Sequence, residues 1–436
     1  MKRSICADVS RKNVPDDPAG TADASSKGHC ENGLFPSLRT LPSGIFAVSF
    51  FGLFLGISTT MVYSQLGMFL KNELNASEAV VGFIDGVVEF IAFVCRVGSG
   101  ILSDYLSERK LILYIGCSLT LIARPLFAMA ATPLMVVLTQ SLERLGNGFQ
   151  ATPRDALIAD LSREAERGRS YGFSRSLKTI GSFLGTPVAI LIMYLSCDNY
   201  RTVFFCATIP VVISFFCLMK VKTPRDLVHK AEETERKIHN PFRRRYLKSL
   251  DLVFWKILIL AFLFEMGHFA ESLLPIYGSN FLSKTTSGAV SMFISTGQVC
   301  CSFPIGLYAD RFGRGRFIKV CMIMMILANV CFLSASSIAF VYAGAFLWGG
   351  QMTAVQGLFL SIICGKVDEH LRATAIGVYY LTIGSAYFIS SMLAGQIWTT
   401  WGSDYAFMYS IFFSCLGLIT FRMFIPKKYE YADRSR

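Results

Sequence analysis

The chain repeats itself about 206 residues apart. The segment Gly100-Ile-Leu-Ser-Asp104-Tyr-Leu-Ser-Glu-Arg109-Lys110 recurs as Gly306-Leu-Tyr-Ala-Asp310-Arg311-Phe-Gly313-Arg314-Gly-Arg316. Arg167-Gly-Arg-Ser-Tyr-Gly172 recurs as Arg372-Ala-Thr-Ala-Ile-Gly377, at an offset of 205. Two matched pairs at nearly one offset mark duplicated halves. In both copies of the first pair a long apolar run gives way to a short charged turn containing glycine or serine, so the two halves must build similar structures.

The material between these turns is apolar. Hydrophobic residues make up 53% of the 436 and charged residues 17%, where soluble domains carry nearer a quarter charged. Twelve apolar runs are centred near Gly56, Phe90, Leu121, Thr139, Gly185, Ser214, Phe264, Gln298, Met324, Gly349, Gly384 and Ser414. A helix needs roughly 20 such residues to cross a bilayer, and the Gly and Pro within them are tolerated there. The expected fold is all-α and membrane-integral, with twelve transmembrane helices in two pseudo-symmetric six-helix bundles. Duplicated halves in such a chain point to a transporter built around a midplane site.

The net charge of +12 could suggest a nucleic-acid partner. Its distribution says otherwise. With the N-terminus in the cytoplasm, 32 of the 42 Lys and Arg fall in the tails and inner loops. Lys71, Arg201 and Lys284 fall outside, and seven lie in or at the ends of spans. This is the positive-inside bias. It places both termini in the cytoplasm of a multi-pass protein of the cell (inner) membrane, and no nucleic acid is expected. The thirteen cysteines are scattered, mostly in spans, and read as small apolar packers.

Five regions follow. Residues 1–43 form a polar cytoplasmic tail, expected to be disordered, with no apolar h-region of a signal peptide. Residues 44–220 form the first six-helix bundle and 221–251 a charged cytoplasmic linker with Arg243-Arg244-Arg245. Residues 252–425 form the second bundle and 426–436 a cytoplasmic tail.

At the repeated turns the chain resembles the major facilitator superfamily, of the twelve-helix bacterial type. That family carries Gly-x-Leu-Ala-Asp-basic-x-Gly-basic-basic after its second helix, echoed after its eighth. Gly306, Asp310, Arg311, Gly313 and Arg314 match it. The first copy keeps Gly100, Leu102 and Asp104, with Arg109 beyond, but has Tyr105 for the basic residue and Ser107 for the second Gly. The resemblance implies that these residues gate the inner face, with Asp104 and Asp310 accepting bonds from neighbouring helix ends or arginines. A plain turn cap is the alternative.

Ionisable residues at membrane depth cost at least ~2.5–3.5 kcal/mol and mark functional candidates. Asp85, Glu89 and Arg96 share one face of the second span. Arg124 stands in the third, and Glu143 and Arg144 in the fourth. The seventh holds Glu265-x-x-His268-x-x-Glu271, spaced to meet along one helix. Glu265, His268, Glu271, Asp85 and Glu89 are the candidates for proton coupling, since His titrates near neutral pH. The group falls short of a metal site, and no cofactor is expected.

The family resemblance implies that the first, fourth, seventh and tenth helices line the cavity. It thereby singles out Thr60, Tyr63, Ser64, Arg144, Asn147, Trp348, Gln351 and Gln356; Arg124 and Glu143, charged residues within the third and fourth spans, are further cavity candidates. Gly52, Gly56, Thr60 and Ser64 recur every four residues, a spacing that also suits close helix packing. Arg175 and Lys178, near the inner mouth, are expected to pair with Asp155 and Asp160.

The reading that results is a secondary active transporter of a small polar or charged solute, coupled to protons and functional as a monomer. The alternatives are a passive facilitator, a proton-driven efflux antiporter and a non-transporting sensor. An enzyme is not expected. The other histidines, His29, His229, His239 and His370, stand alone in tails or loops.

Overall fold

The computed structural model describes residues 42–105, 109–162, 167–221, 251–364, 367 and 372–424. The two tails and the linker therefore lie almost wholly outside it. All regular structure among the described residues is helical. The first half holds α1 (Ser43–Asn72), α2 (Glu78–Tyr105), α3 (Arg109–Met129), α4 (Pro133–Leu161), α5 (Arg167–Leu195), α6 (Tyr200–Cys206) and α7 (Thr208–Met219). The second holds α8 (Leu252–Glu265), α9 (Leu273–Gly278), α10 (Ala289–Phe312), α11 (Arg314–Leu333), α12 (Ile338–Cys364), α13 (Arg372–Trp401) and α14 (Ser403–Phe424).

These helices fall on the twelve predicted spans, with two spans each broken in two. Nine stretches of the described residues are long and apolar enough to cross a membrane. The remaining three predicted spans are α2 and α4, which carry ionisable residues, and the seventh, which splits into α8 and α9. Exposed apolar side chains line the outward faces. On α5, Ile180, Leu184, Val188, Leu191 and Leu195 form one stripe at helical spacing, and Leu195 is 70% exposed. An apolar surrounding such as a lipid bilayer makes such a stripe favourable.

Both breaks are patched by hydroxyls from distant helices. Between α6 and α7, Ser58 of α1 donates to Ala207 O at 2.7 Å. Between α8 and α9, residues 266–272 leave the helical path and free several carbonyls. Ser390 of α13 donates to Met266 O at 2.7 Å, and Ser410 of α14 to Gly267 O at 2.5 Å. Asn329 of α11 in turn donates to Ser410 Oγ at 2.9 Å. Backbone groups freed in a bilayer must find such partners. The sequence carried a sign of this break. Pro275 cannot donate to residue 271, and its ring clashes with that carbonyl in a continuous helix.

The halves meet where α2 runs along α13, and α5 approaches α10. Within each half, α1 packs along α5 and α10 along α12. Glycines set the α1–α5 distance. A Cβ on Gly56 would lie 2.8 Å from Lys178 O, and one on Gly181 would collide with Leu53 O. So Gly56 packs helices, while Gly52 is in looser contact with α5.

Each repeated motif straddles a helix end and the next helix start. Gly313 joins α10 to α11 at φ 107°, a conformation that favours glycine. Arg314 Nη1 donates to Ser361 O at 3.2 Å, tying α11 to α12. Gly100 and Asp104 lie in α2, and Gly306 and Asp310 in α10. Arg311 lies over the ring of its neighbour Phe312. The side chains of Asp104, Arg109 and Asp310 fall outside the described residues.

Candidate functional site

A cavity of about 230 Å³ opens between the halves. Thr60, Tyr63 and Ser64 of α1, Asp85 and Glu89 of α2, Arg144 of α4 and Thr186 of α5 line it from the first half. Glu271 and Ser272 of the irregular segment, Ser291 and Ser295 of α10, Met352 of α12 and Tyr387 of α13 line it from the second.

Asp85 and Glu89 are one turn apart on α2, so both face the cavity. Glu89 Oε2 holds Arg144 Nη2 at 2.9 Å, and the Arg144 guanidinium stacks over the Tyr63 ring at 4.7 Å. The guanidinium is thereby fixed on one wall. Arg96 reaches the other Glu89 oxygen at 3.9 Å, as the shared face predicts. Asp85 Oδ2 accepts from the backbone N–H of Ser272 at 3.3 Å. A carboxylate of the first half thus grips the broken helix of the second.

The predicted Glu265–His268–Glu271 face does not form, because the helix ends at Glu265. Glu265 and His268 stay together, with Oε2 and Nδ1 3.6 Å apart and both residues buried. His268 Nε2 lies 2.8 Å from the Gln351 amide nitrogen, and its ring meets Trp348 edge-on. Glu271 points elsewhere, into the cavity beside Asp85 and Glu89. The seven residues thus serve two places, a packed cluster and an open cavity.

Of the other candidates, Thr60, Tyr63 and Arg144 reach the cavity wall. Arg124, Glu143, Asn147, Trp348, Gln351 and Gln356 are not among its lining residues. Arg124 and Glu143 form a separate pair at 2.6 Å, each side chain 0% exposed. Asp155 pairs with its neighbour Arg154 at 3.0 Å, and no ion pair joins it to Arg175 or Lys178 among the described residues; the side chain of Asp160 lies outside them.

The sequence reading did not single out Thr186, Ser272, Ser291, Ser295, Met352 or Tyr387. Ser291 and Ser295 carried a signal, being one turn apart in an apolar run. Thr186 and Tyr387 lie on the fifth and eleventh spans, outside the four helices to which the family resemblance assigns the cavity wall.

The family model described as Major Facilitator Superfamily matches residues 48–282 and 269–436. An uncharacterized MFS-type transporter of Methanocaldococcus jannaschii is 24% identical over 371 residues, covering 83% of this chain and 89% of the relative. A mutant of the nucleoside transporter NupG has a similar structure, with a TM-score of 0.75, 12% identity and coverage of 88% of this chain and 100% of that one. A D-xylose-proton symporter has a TM-score of 0.70, 16% identity and coverage of 90% and 99%. These likenesses agree with the duplicated halves, the paired motifs and a polar cavity between helices of both halves: the chain belongs to the major facilitator superfamily of membrane transporters.

Proposed function

We propose that the chain is a secondary active transporter that moves a small polar or charged solute by alternating access, with protons as the coupling ion. The observation that carries this reading is the wall of the cavity. It comes from eight separate segments, four in each half. Rocking one half against the other would therefore open and rebuild the same site, which is what alternating access requires. Asp85 and its Ser272 partner would separate in that motion.

Proton coupling rests on Glu271 and Asp85 in the cavity and on Glu265 beside His268. At least one of Glu265, His268 and Glu271 carries the transported proton. The protein works as a monomer in the cell (inner) membrane, with both termini cytoplasmic, and the repeated motifs gate the inner face.

Purified protein in liposomes, given a panel of labelled solutes with and without a pH gradient, tests this. Uptake above equilibrium only with the gradient supports coupling. Gradient-independent equilibration identifies a passive facilitator instead. Solute exchange, measured at saturating solute, that survives in Glu265→Gln, His268→Gln or Glu271→Gln, with accumulation lost, assigns the proton carrier. Gradient-driven uptake intact in all three would move coupling to Asp85 and Glu89.

A further inference from the structure

We propose that the solute is an organic cation, a small protonated amine held between Glu271 and Asp85; this rests on the transporter reading above.

The first observation is charge. Three carboxylates, Asp85, Glu89 and Glu271, face the cavity against one guanidinium, Arg144. Glu89 already holds Arg144 at 2.9 Å, and the Tyr63 ring fixes its face. Two carboxylates remain. Asp85 is bonded among the described residues only to Ser272, through its backbone N–H at 3.3 Å and its hydroxyl, and has no cationic partner of its own. Glu271 makes no hydrogen bond or ion pair through its carboxylate among the described residues. Desolvated ionised carboxylates without a counter-charge are costly, and they relieve that cost by taking up a proton or by holding another cation in its place. An anion would add to that cost, a neutral solute would leave it, and a cation removes it.

The second observation is independent of charge. Thr186 is 1% exposed, lines the cavity, and its Oγ1 has no partner among the described residues. Tyr63 likewise lines the cavity, and its buried hydroxyl has no partner among the described residues. Both oxygens can accept a hydrogen bond, and an ammonium N–H supplies one. Buried hydroxyls left unpaired are stabilised by such a donor.

The third is size. The cavity of about 230 Å³ has the room of about eight water molecules. That is too large for a bare metal ion, and the two free carboxylates fall short of the 6–8 oxygen ligands that a calcium ion takes. The thioether of Met352 and the ring of Tyr387, which also line the cavity, suit the carbon part of an amine.

The test uses four probes of one size class: phenethylammonium, benzyltrimethylammonium, benzamide and benzenesulfonate. Binding is measured by calorimetry on protein in lipid nanodiscs, and flux in liposomes. The expected result is that phenethylammonium binds at least tenfold tighter than benzamide or benzenesulfonate. Benzyltrimethylammonium falls between, having charge but no N–H donor. Glu271→Gln should lower phenethylammonium affinity at least tenfold, Glu271→Asp should retain most of it, and Glu73→Gln, an exposed loop change, should not alter it. Thr186→Val should narrow the gap between the two cations.

Equal or tighter binding of benzamide or benzenesulfonate overturns the proposal, as does undiminished affinity in a Glu271→Gln protein that unfolds at the parent temperature. Failure of both cations to bind overturns it too. The two readings fail separately. Cation binding without flux keeps the ligand class and removes transport, whereas benzenesulfonate flux without cation binding keeps transport and removes the ligand class.

Discussion

Glu143 and Arg144 are neighbours on α4, yet they belong to different worlds. Glu143 turns to Arg124 of α3 at 2.6 Å, and neither side chain is exposed at all. Arg124 also donates to Thr59 at 3.2 Å. Arg144 turns to Glu89 of α2 at 2.9 Å, on the wall of the cavity, with 22% and 20% of the two side chains exposed. Successive residues on a helix point about 100° apart, so adjacent charges can serve different neighbours. The dry pair joins α3 and α4 and is not among the residues that line the cavity. The wet pair keeps a guanidinium neutralised on the wall of the cavity, the proposed solute site. One Arg–Glu chemistry thus supplies structure in one place and a tuned surface in the other.

The comparison predicts its largest effect at the dry pair. Arg124→Met leaves Glu143 buried without its partner and should cost about 3–5 kcal/mol, read as a lower unfolding temperature in detergent. Adding Glu143→Leu should recover most of that loss, since replacing both charges by apolar groups is far cheaper than removing one. A single variant as stable as the parent would dissolve the distinction between the pairs.

Glu89→Gln comes next and should reverse the pattern. Stability should change little, while solute uptake falls at least roughly tenfold, equivalent to about 1.4 kcal/mol, because Arg144 is released into the cavity. Uptake at the parent rate would show that the wet pair is structural as well.

A smaller effect separates the dry pair's second bond. Thr59→Val should cost about 0.5–1.5 kcal/mol in the same unfolding measurement, with uptake per folded molecule unchanged. The smallest belongs to Arg96, 3.9 Å from Glu89 and with 41% of its side chain exposed. Arg96→Gln should change stability by no more than about 1 kcal/mol, and uptake by less than twofold. A larger loss of uptake would extend the wet network beyond Arg144.

Much of this architecture was legible in the chain. The spans were readable because a bilayer demands long apolar helices. The repeated motif marked the joint where Gly313 sits at positive φ. Asp85, Glu89 and Arg144 were readable as candidates because charge at membrane depth is expensive. The reading failed at the seventh span, where the spacing of Glu265, His268 and Glu271 promised one face. It was also silent on Thr186 and Tyr387, because polar residues on the fifth and eleventh spans look no different from those that pack.

The sequence by itself determined that the chain is helical, lies in a membrane and has duplicated halves. Each of these follows from local composition and from a comparison of the chain with itself. The tertiary structure decided which charges meet. Whether Glu143 or Arg144 finds Arg124 depends on the rotation of α4 against α3 and α2, and no property of α4 alone fixes that. Whether the seventh span breaks depends on Ser390 and Ser410, more than 120 residues away, which satisfy the carbonyls that the break exposes. A helix carries its own hydrogen bonds wherever it goes, whereas a broken one persists only where distant side chains replace them.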